Sequence, residues 1–569
     1  SDVDGFYRIV KANKAGTDWF HEIFKPAPIT SHNLSVAGGG DIGHYFFSFY
    51  YFNQEGTLKN TYNKRYAVRA NSDYNITDHI RVGENMEYSI INNPQIGALS
   101  EGSGIGMAFR EMPIIPVHDI MGNYAGSFGK GLGNARNPVA IQDRFGTTKT
   151  LASRLLGNVY AEADILKDFT LRTSFGGEIY SFNNHSFTLP EYENAENNKV
   201  NSYTENAGSG YDWTWTNTLT YHKNFNQVHD VKVLLGTEAF NNQGRTVGGT
   251  SLDYFSFNSD FTNLSTGSGT PTNYSGSFTD GLFSLFARVD YSFRDRYLIG
   301  ALIRRDGSSR FGASNRYGNF PAVSAAWRIS QESFMKNVSW ISDLKIRGGY
   351  GIMGNQINVT PSNAFTAYGF DKGNSFYDLK GTGNTIMQGF NRRQIGNPDA
   401  KWESNVNANI GIDATLFKGV LEITADYYRK DVKDLLYNPE LPGVYGIAAA
   451  PFVNIAQMKN KGFDFSAAAN INLTKDLKLE LNGNFTTYNN EIMKISDAAP
   501  YFDMESRRFN GTFIIRNAVG QSISEFFGYK VDGFWNSQAE IDAADKATRD
   551  QYKDNSLVYQ TDTKPGRFK

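Results

Sequence analysis

Apolar and polar residues alternate along most of this chain, a pattern typical of β-strands whose two faces meet different surroundings. In the segment 65–77, Tyr66 and Val68 fall on one face, whereas Arg69 and Asp73 fall on the other. The alternation predicts sixteen strands, at roughly 32–38, 44–53, 65–77, 80–91, 154–166, 169–182, 211–223, 231–241, 283–293, 297–305, 317–329, 343–354, 402–417, 420–436, 461–473 and 478–490. Another strand is expected around 523–535, and the best helical pattern covers 539–552.

Short and long connections between these strands alternate down the chain. The tight turns are rich in charge and are expected at Lys167-Asp168, Arg294-Asp295-Arg296, Lys418-Gly419 and Thr474-Lys475-Asp476. The long connections are expected at about 92–153, 183–210, 242–282, 355–401, 437–460 and 491–522, with 330–342 as the longer member of the short set. A bacterial outer-membrane barrel has short periplasmic turns and long extracellular loops, so the rhythm predicts an antiparallel transmembrane β-barrel.

A secreted all-β protein, such as an array of sandwiches, is the alternative interpretation of these strands. A sandwich has no reason to place its long loops at every second connection, and loops of this length are uncommon in compact soluble domains. Most of the predicted strands reach the ~9–11 residues that a tilted strand needs to cross a bilayer. The pattern therefore favours the membrane barrel.

Composition agrees with a barrel and excludes a helical membrane protein. Aromatic residues make up 14% of the 569 residues, and the mean hydropathy of −0.45 shows no bulk hydrophobicity. A barrel with a wet lumen gives such values because only alternate strand residues face lipid. No apolar run reaches the ~18 residues expected of a membrane helix. The net charge of −2 gives no indication of a nucleic-acid partner, and the absence of cysteine fits periplasmic transit without requiring it.

Two glycine-containing motifs have both a chemical and a structural interpretation. The run Gly349-Tyr350-Gly351-Ile352-Met353-Gly354 has the spacing of a dinucleotide-binding loop, but the residues after it are a poor helix start, so a glycine-rich strand is favoured. The run Asp306-Gly307-Ser308-Ser309-Arg310 is expected to form a compact, architectural loop between two strands. Direct substrate contact by this loop is the alternative.

Tryptophans near the ends of predicted strands are expected at the membrane–water interface. Trp402, beside Glu403, opens a strand after a long loop and is expected to place its ring at the level of the lipid headgroups. Trp213 and Trp215, beside Tyr211, also begin a predicted strand and are expected in an outer aromatic girdle. Stacking of one of these rings on a sugar, which requires the ring to face the lumen, is the alternative.

No constellation of catalytic or ligand-binding residues stands out. The eight histidines are scattered and have no metal-ligand spacing, and there is neither a nucleophile elbow nor a phosphate-binding loop. The sequence therefore indicates no catalytic, cofactor-binding or metal-binding residues, and it does not identify the substrate-binding residues. We expect a protein that is not an enzyme and that needs no cofactor.

Several segments, in order along nearly the whole chain, resemble the SusC/RagA-like family of TonB-linked outer-membrane transporters. These segments are Gly16-Thr17-Asp18-Trp19-Phe20, His32-Asn33-Leu34-Ser35-Val36-Ala37-Gly38-Gly39, Tyr51-Phe52-Asn53-Gln54-Glu55-Gly56, Arg305-Asp306-Gly307-Ser308-Ser309-Arg310-Phe311-Gly312, Arg316-Tyr317-Gly318-Asn319-Phe320-Pro321-Ala322-Val323-Ser324-Ala325-Ala326-Trp327-Arg328, Lys345-Ile346-Arg347-Gly348-Gly349-Tyr350-Gly351 with Gly354-Asn355-Gln356, Asn397-Pro398-Asp399-Ala400-Lys401-Trp402-Glu403, Asn460-Lys461-Gly462-Phe463-Asp464-Phe465 and Gly528-Tyr529-Lys530-Val531-Asp532-Gly533.

The resemblance implies a barrel of about 22 strands with an internal plug domain, located in the bacterial outer membrane. It also implies a SusD-like lipoprotein lid, energy supplied through the TonB complex, and an oligosaccharide or peptide as the ligand. Residues 1–569 are then expected to be a partial barrel domain of about 16–17 strands, with the plug, the TonB-contacting region and the final strands outside it. A passive porin-like channel and a soluble extracellular hydrolase or adhesin are the competing functions.

Two geometrical expectations follow. Tyr66, Val68, Val231, Val233, Val289 and Tyr291 should face lipid, whereas Arg69, Asp73, Arg288 and Asp290 should face the lumen, because an Arg or Lys on the lipid side at mid-membrane costs about 2–4 kcal/mol. The first and last strands should not pair, so that the wall is a curved, incomplete sheet around a lumen that holds no plug.

Overall fold

One large antiparallel sheet dominates the structure. A computed structural model describes residues 11–94, 100–127, 131–193, 198–256, 258, 261–370, 373–439, 441–496, 500–506 and 512–569. Its strands are β1 (Ile29–Gly40), β2 (Gly43–Glu55), β3 (Tyr62–Thr77), β4 (Ile80–Asn92), β5 (Lys149–Ile165), β6 (Phe169–Thr188), β7 (Ser202–Phe225), β8 (His229–Leu252), β9 (Thr272–Phe293), β10 (Tyr297–Ser308), β11 (Tyr317–Arg328), β12 (Ile341–Asn355), β13 (Ala367–Gly369), β14 (Phe376–Asp378), β15 (Ile386–Gln388), β16 (Asn391–Gln394), β17 (Glu403–Leu416), β18 (Leu421–Tyr437), β19 (Val453–Asn472), β20 (Lys478–Lys494), β21 (Tyr501–Ser506), β22 (Thr512–Ala518) and β23 (Glu525–Phe526).

The large sheet contains sixteen strands in the order β1 to β12 followed by β17 to β20. The four short strands β13–β16 pair with one another in the loop after β12, and β21–β23 form a separate three-stranded sheet. The α-helices are α1 (Trp19–Ile23), α2 (Gly104–Ala108), α3 (Pro138–Phe145) and α4 (Gln538–Tyr552). Short 3₁₀ turns lie at Ala313–Asn315, Ile329–Gln331, Ser333–Met335, Phe417–Gly419 and Gly443–Tyr445. Among the residues described, no helix is long and apolar enough to span a membrane.

Each of the sixteen predicted strands corresponds to one strand of the large sheet, and α4 confirms the predicted helix. The strand expected around 523–535 is wrong, because the one strand in that segment is the two-residue Glu525–Phe526. The rest of that segment folds back on the C-terminal residues instead, where Asp532 N donates to Lys569 O and Lys569 N donates to Gly533 O, both at 2.8 Å. The positive φ of Gly533, +130°, interrupts any regular strand.

Every large-sheet strand is antiparallel to its neighbours, so every second connection lies at the same end of the sheet. The connections after β2, β4, β6, β8, β10, β12, β18 and β20 therefore share one end, the long-loop end. All six of the predicted long connections belong to this set, which confirms the predicted topology.

The short turns at the opposite end have the backbone geometry that joins adjacent antiparallel strands. Between β9 and β10, Arg296 N donates to Phe293 O at 3.0 Å, and the two residues enclosed, Arg294 and Asp295, both have positive φ. Positive φ at both central positions marks the hairpin turns whose twist matches that of the strands. The charged turn expected here from the sequence is thus confirmed.

The register of the sheet separates an apolar face from a polar face. One row of opposed residues runs across six strands and is apolar throughout: Leu34, Phe49, Val68, Tyr88, Leu155 and Ile179. Their exposed fractions lie between 37% and 75%. Val233, Val289, Ala301, Val323 and Tyr350 form a second apolar row across β8–β12. So large an exposed apolar surface indicates that something other than water covers it.

The predicted division of residues between the two faces is confirmed by this register. Val231 and Val233 lie opposite Tyr291 and Val289, on the apolar face. Arg69 lies opposite Glu87, one position away from Val68 and hence on the polar face. Arg288 and Asp290 alternate with Val289 and belong to the polar face as well.

Strands β6 to β9 are much longer than the sequence pattern indicates. They have 20, 24, 24 and 22 residues, about twice the ~9–11 that cross a bilayer. Much of the predicted loops 183–210 and 242–282 is therefore strand, and the true connections are 189–201 and 253–271. The four strands extend the sheet well beyond its apolar zone, at the long-loop end.

Small hydrophobic clusters hold the connections together at the long-loop end. Residues near the start of the chain pack with the loop between β4 and β5 in a cluster of Trp19, Ile23, Leu58, Ala108, Ile115, Ala125 and Val139. A second cluster joins the β10–β11 and β12–β17 connections to strands β11 and β18, and it contains Phe311, Phe320, Val359, Ala400, Trp402 and Leu436. At the sides, the sheet order begins with β1 and ends with β20, and no pairing between them occurs in the described part of the chain. This order agrees with the expected open wall.

Candidate functional site

The polar face is lined by ion pairs that cross from strand to strand. On β12, Arg347 binds Asp413 of β17 (Nε to Oδ2, 3.1 Å) and Asp426 of β18 (Nη2 to Oδ2, 2.7 Å). Lys345 Nζ lies 2.8 Å from the same Asp413 carboxylate. One guanidinium thus joins three strands, and the pairing leaves little uncompensated charge on this part of the face.

A second network occupies the N-terminal half of the sheet. Arg81 of β4 binds Glu162 and Asp164 of β5, the latter at 2.9 Å (Nη1 to Oδ2). Arg172 of β6 completes the network through Glu162 (Nη1 to Oε2, 3.1 Å), and its guanidinium lies 4.2 Å from the centre of the Tyr160 ring. These groups are partly exposed, so they form a hydrated, charge-balanced surface.

The run from Asp306 to Arg310 is architectural, as favoured from the sequence, although Asp306, Gly307 and Ser308 end strand β10 and only the residues after them lie in the loop. Asp306 is buried and accepts a hydrogen bond from Arg304 Nε at 2.7 Å. Arg310 donates to Asp280 Oδ2 from Nη2 at 2.7 Å and to the backbone oxygen of Val359 from Nη1 at 2.8 Å. Arg304 joins the end of β10 to Glu238 of β8 (Nη2 to Oε1, 2.7 Å), whereas Arg310 fastens Asp280 of β9 to the loop after β12.

Trp402 does not lie at a membrane interface, so that expectation is wrong. Its side chain is only 8% exposed and packs against Phe311 and Phe320, with ring centroids 5.1 and 5.3 Å away. Its indole Nε1 donates to Arg316 O at 3.0 Å. The adjacent Glu403 is also buried and accepts a hydrogen bond from Asn355 Nδ2 at 3.2 Å. The loops that fold over the start of β17 enclose both residues, which no local pattern reveals.

Tyr211, Trp213 and Trp215 lie within β7, not at its start, which corrects the predicted strand boundary. They belong to the apolar face, where Trp215 is 49% exposed and Trp213 stacks on Phe175 at 5.9 Å. Beyond Tyr211 the same face becomes polar, since the next row contains Ser181, Ser209, Arg245 and Ser277. This position agrees with the predicted aromatic girdle and removes the sugar-stacking alternative, which needs the opposite face.

The other motifs carry no ligand geometry. The run from Gly349 to Gly354 lies inside β12, and the described residues that follow it, 356–370, contain no helix of the kind that a dinucleotide site would require. Within the described residues, no group of three His, Cys, Asp or Glu side chains could hold a metal ion.

The loop structure contains a buried ion pair that the sequence did not reveal. Arg144 of α3 binds Glu193 in the loop after β6 with two contacts, Nη1 to Oε1 at 2.5 Å and Nη2 to Oε2 at 3.0 Å. The rings of Tyr124 and Tyr192 each lie 5.6 Å from the guanidinium carbon. The pair joins two long loops that are far apart in sequence.

Glu111 is a buried carboxyl group in the same loop structure. Its residue is 3% exposed, and both side-chain oxygens are buried. Burial raises the pKa of Glu111 to about 7, with the nearby charge of Glu193 acting in the same direction. Near neutral pH this group therefore exists in both protonation states.

Comparisons with known proteins agree with these features. The sequence profile of the family described as "TonB dependent receptor-like, beta-barrel" matches residues 115–562. The chain is 29% identical over 544 residues to TonB-dependent receptor P26 of Formosa agariphila, covering 93% of this chain and 52% of that protein. It is 27% identical over 566 residues to the TonB-dependent receptor SusC of Bacteroides thetaiotaomicron, covering 91% of this chain and 52% of that protein. The chain thus spans about half the length of these curated relatives.

The fold is similar to that of a solved transporter. The structure of the RagAB peptide importer in its "closed-closed" state superposes with a TM-score of 0.78 at 24% identity, covering 92% of this chain and 57% of that one. The similarity extends to the "open-open" state, with the same TM-score.

Membership of a membrane-barrel family explains the two faces of the sheet. Strands of outer-membrane barrels place alternate residues in lipid and in the lumen, so the apolar face is the lipid face and the polar face is the luminal one. Because the family profile covers most of the sequence and the relatives match across nearly all of it, the chain belongs to the TonB-dependent receptor-like β-barrel family of the bacterial outer membrane.

Proposed function

We propose that this chain forms part of the wall of a TonB-dependent importer, which carries an oligosaccharide or a peptide across the outer membrane. The observation that carries the proposal is the two-faced sheet of a TonB-dependent receptor-like barrel. Its lipid face is apolar, and its luminal face is lined by ion pairs such as Arg347 with Asp413 and Asp426. A hydrated, charge-balanced wall is suited to the passage of a polar solute, since it offers hydrogen bonds without strong single-sign attraction.

The proposed mechanism needs no covalent chemistry. Ligand enters from the long-loop end, a plug domain held by the full-length protein is displaced by the TonB complex, and ligand passes along the luminal face. We further propose that a SusD-like lipoprotein covers the long-loop end. The names SusC and RagAB among the similar proteins support this partnership.

Energised uptake distinguishes this proposal from a passive channel. Cells that express the full-length protein should accumulate labelled ligand, and a protonophore or deletion of the TonB gene should abolish accumulation. The control is a strain that expresses an unrelated porin, whose uptake should be insensitive to both treatments. Uptake through this protein that survives both treatments would favour the porin-like alternative.

The lipoprotein partner is tested separately. Affinity purification of the full-length protein from mild detergent should recover a lipoprotein in constant ratio. Recovery of the transporter alone, under conditions that preserve a known SusC–SusD-type pair, would remove the partner from the proposal while leaving energised import intact.

A further inference from the structure

The luminal face of β6–β9 carries an unusual arrangement of aromatic rings and glycines just beyond the apolar zone. Tyr180 of β6 and Phe278 of β9 lie in one cross-strand row, separated by Gly210 and Gly244. A Cβ atom at Gly210 would lie 2.6 Å from the Tyr180 hydroxyl oxygen, and one at Gly244 would lie 2.7 Å from Phe278 Cε1. The Tyr180 ring therefore reaches over the backbone of Gly210 from the β6 side, and the Phe278 ring reaches over that of Gly244 from the β9 side.

The next rows toward the loops repeat this packing. A Cβ atom at Gly208 would lie 2.4 Å from Phe182 Cε1, and one at Gly248 would lie 2.6 Å from Tyr274 Cζ. Because glycine has no side chain, each ring can lie against the sheet. The sheet then covers one face of the ring and leaves the other face uncovered. Tyr274 and Phe278 remain 53% and 42% exposed.

All sixteen positions in these four rows are uncharged. Four are aromatic, five are glycine and seven are Asn, Ser or Thr: Tyr180, Phe182, Asn184, Ser186, Thr204, Asn206, Gly208, Gly210, Gly244, Thr246, Gly248, Thr250, Thr272, Tyr274, Gly276 and Phe278. The row immediately below contains Glu178, Asp212 and Asp280. The sixteen residues, named here the aromatic–glycine surface, thus form a neutral area between the charged lumen and the loops.

Polar groups border the rings within reach of a ligand. Thr204 and Thr250 share a hydrogen bond between their hydroxyl groups at 2.9 Å, and Asn206 Nδ2 donates to Asn184 Oδ1 at 3.2 Å. Hydroxyl and amide groups of this kind have further donor and acceptor capacity.

We propose that the aromatic–glycine surface binds a neutral oligosaccharide as it enters the lumen. Flat apolar rings can bury the C–H face of a sugar ring, and the bordering amides and hydroxyls can bond its hydroxyl groups. The surface measures about 14 Å across the strands at ~4.8 Å per strand, enough for several sugar units. A charged peptide would find no complementary charge there. This proposal rests on the proposed import function and narrows its ligand to a glycan.

The test measures binding of the purified full-length protein to an array of neutral oligosaccharides of defined linkage, with an array of short peptides in parallel. The double variant Tyr274→Leu/Phe278→Leu keeps apolar cover on the glycines but removes the flat rings, and should weaken glycan binding at least about tenfold. The variant Tyr274→Phe/Phe278→Tyr keeps both rings and should bind like the wild type. Phe283→Leu, on the same strand but on the lipid face, is the matched control and should also bind normally.

Three outcomes would overturn the proposal. These are binding to no oligosaccharide on the array, selective binding to peptides, and unchanged glycan binding by the leucine double variant with its folding intact by circular dichroism. Because binding in detergent needs no TonB complex, it can fail while energised uptake succeeds, or the reverse. The binding experiment and the uptake experiment therefore test the glycan-binding surface and the import function separately.

Discussion

Tyr180 and Phe278 lie on strands separated by two others, yet both rings reach the backbone of Gly244. A Cβ atom there would lie 2.7 Å from Phe278 Cε1 and 3.0 Å from the Tyr180 hydroxyl oxygen. The residue in the middle of the row therefore controls the position of both rings, and the absence of a side chain at Gly244 allows the arrangement.

The first prediction concerns this glycine. Gly244→Ala should force at least one ring away and lower the free energy of unfolding by about 1–3 kcal/mol, the usual cost of overpacking. Gly276 lies on the same face, but a methyl group added there would have no atom within 4 Å, so Gly276→Ala should be neutral or slightly stabilising. Urea titration of the full-length protein in detergent measures both values. Equal effects of the two alanines would contradict the role given to Gly244.

The second prediction concerns the ion pairs of the luminal wall. Arg347→Met removes the shared partner of Asp413 and Asp426 and leaves two neighbouring carboxylates, so the free energy of unfolding should fall by about 1–3 kcal/mol. The double variant Arg347→Met/Asp426→Asn should recover part of that loss, because Lys345 still binds Asp413 at 2.8 Å. A double variant that is less stable than the single one would show that repulsion between the carboxylates is not the cause.

The third prediction concerns Trp402 and Trp215. Trp402→Ala should open a cavity in the cluster with Phe311 and Phe320 and cost about 3–5 kcal/mol, whereas Trp215→Ala, on the half-exposed lipid face, should cost less. Thermal unfolding in one detergent compares the two variants directly. The assignment of Trp402 to a protein core fails if the two losses are the same.

The fourth prediction concerns the pH dependence of the loop structure. The pKa of Glu111 is raised to about 7 from its ordinary value of 4.5, so its neutral form is favoured in the folded state. Its contribution to stability is then fully present below about pH 4.5 and is lost as the pH rises through about 7. Hydrogen exchange of residues 100–127 should therefore speed up as the pH rises from about 4.5 to about 7 and then level off, after correction for the intrinsic rate. Glu111→Gln, which stays neutral, should remove this acceleration, and its persistence in the variant would assign it to another group.

The fifth prediction tests the assignment of the faces. Val68→Arg places a cation on the lipid face and should cost about 2–4 kcal/mol near mid-membrane. Asn71→Arg, three residues along β3 on the luminal face, should be close to neutral. The yield of protein folded into lipid vesicles measures the effect of each variant. A lower yield for Asn71→Arg than for Val68→Arg would show that the lipid and luminal faces are assigned the wrong way round.

Much of the fold follows from the sequence because the information is local. A strand with lipid on one side and water on the other must alternate, so Tyr66, Val68, Arg69 and Asp73 already indicate their faces. The charged turn at Arg294-Asp295-Arg296 marks its own position in the same way. The order of short and long connections then determines that the long loops share one end.

The sequence by itself did not indicate where the strands stop or what the loops enclose. Residues 202–210 are rich in Gly, Ser and Asn, which have low strand propensity, and they are extended because β6 and β8 supply partners on both sides. Trp402 is buried because loops distant in sequence fold over it. The aromatic–glycine surface depends likewise on a register that brings Tyr180, Gly210, Gly244 and Phe278 into one row. Alternation reports the two sides of one strand, whereas pairing between strands and packing between loops are non-local and are decided only in the tertiary structure.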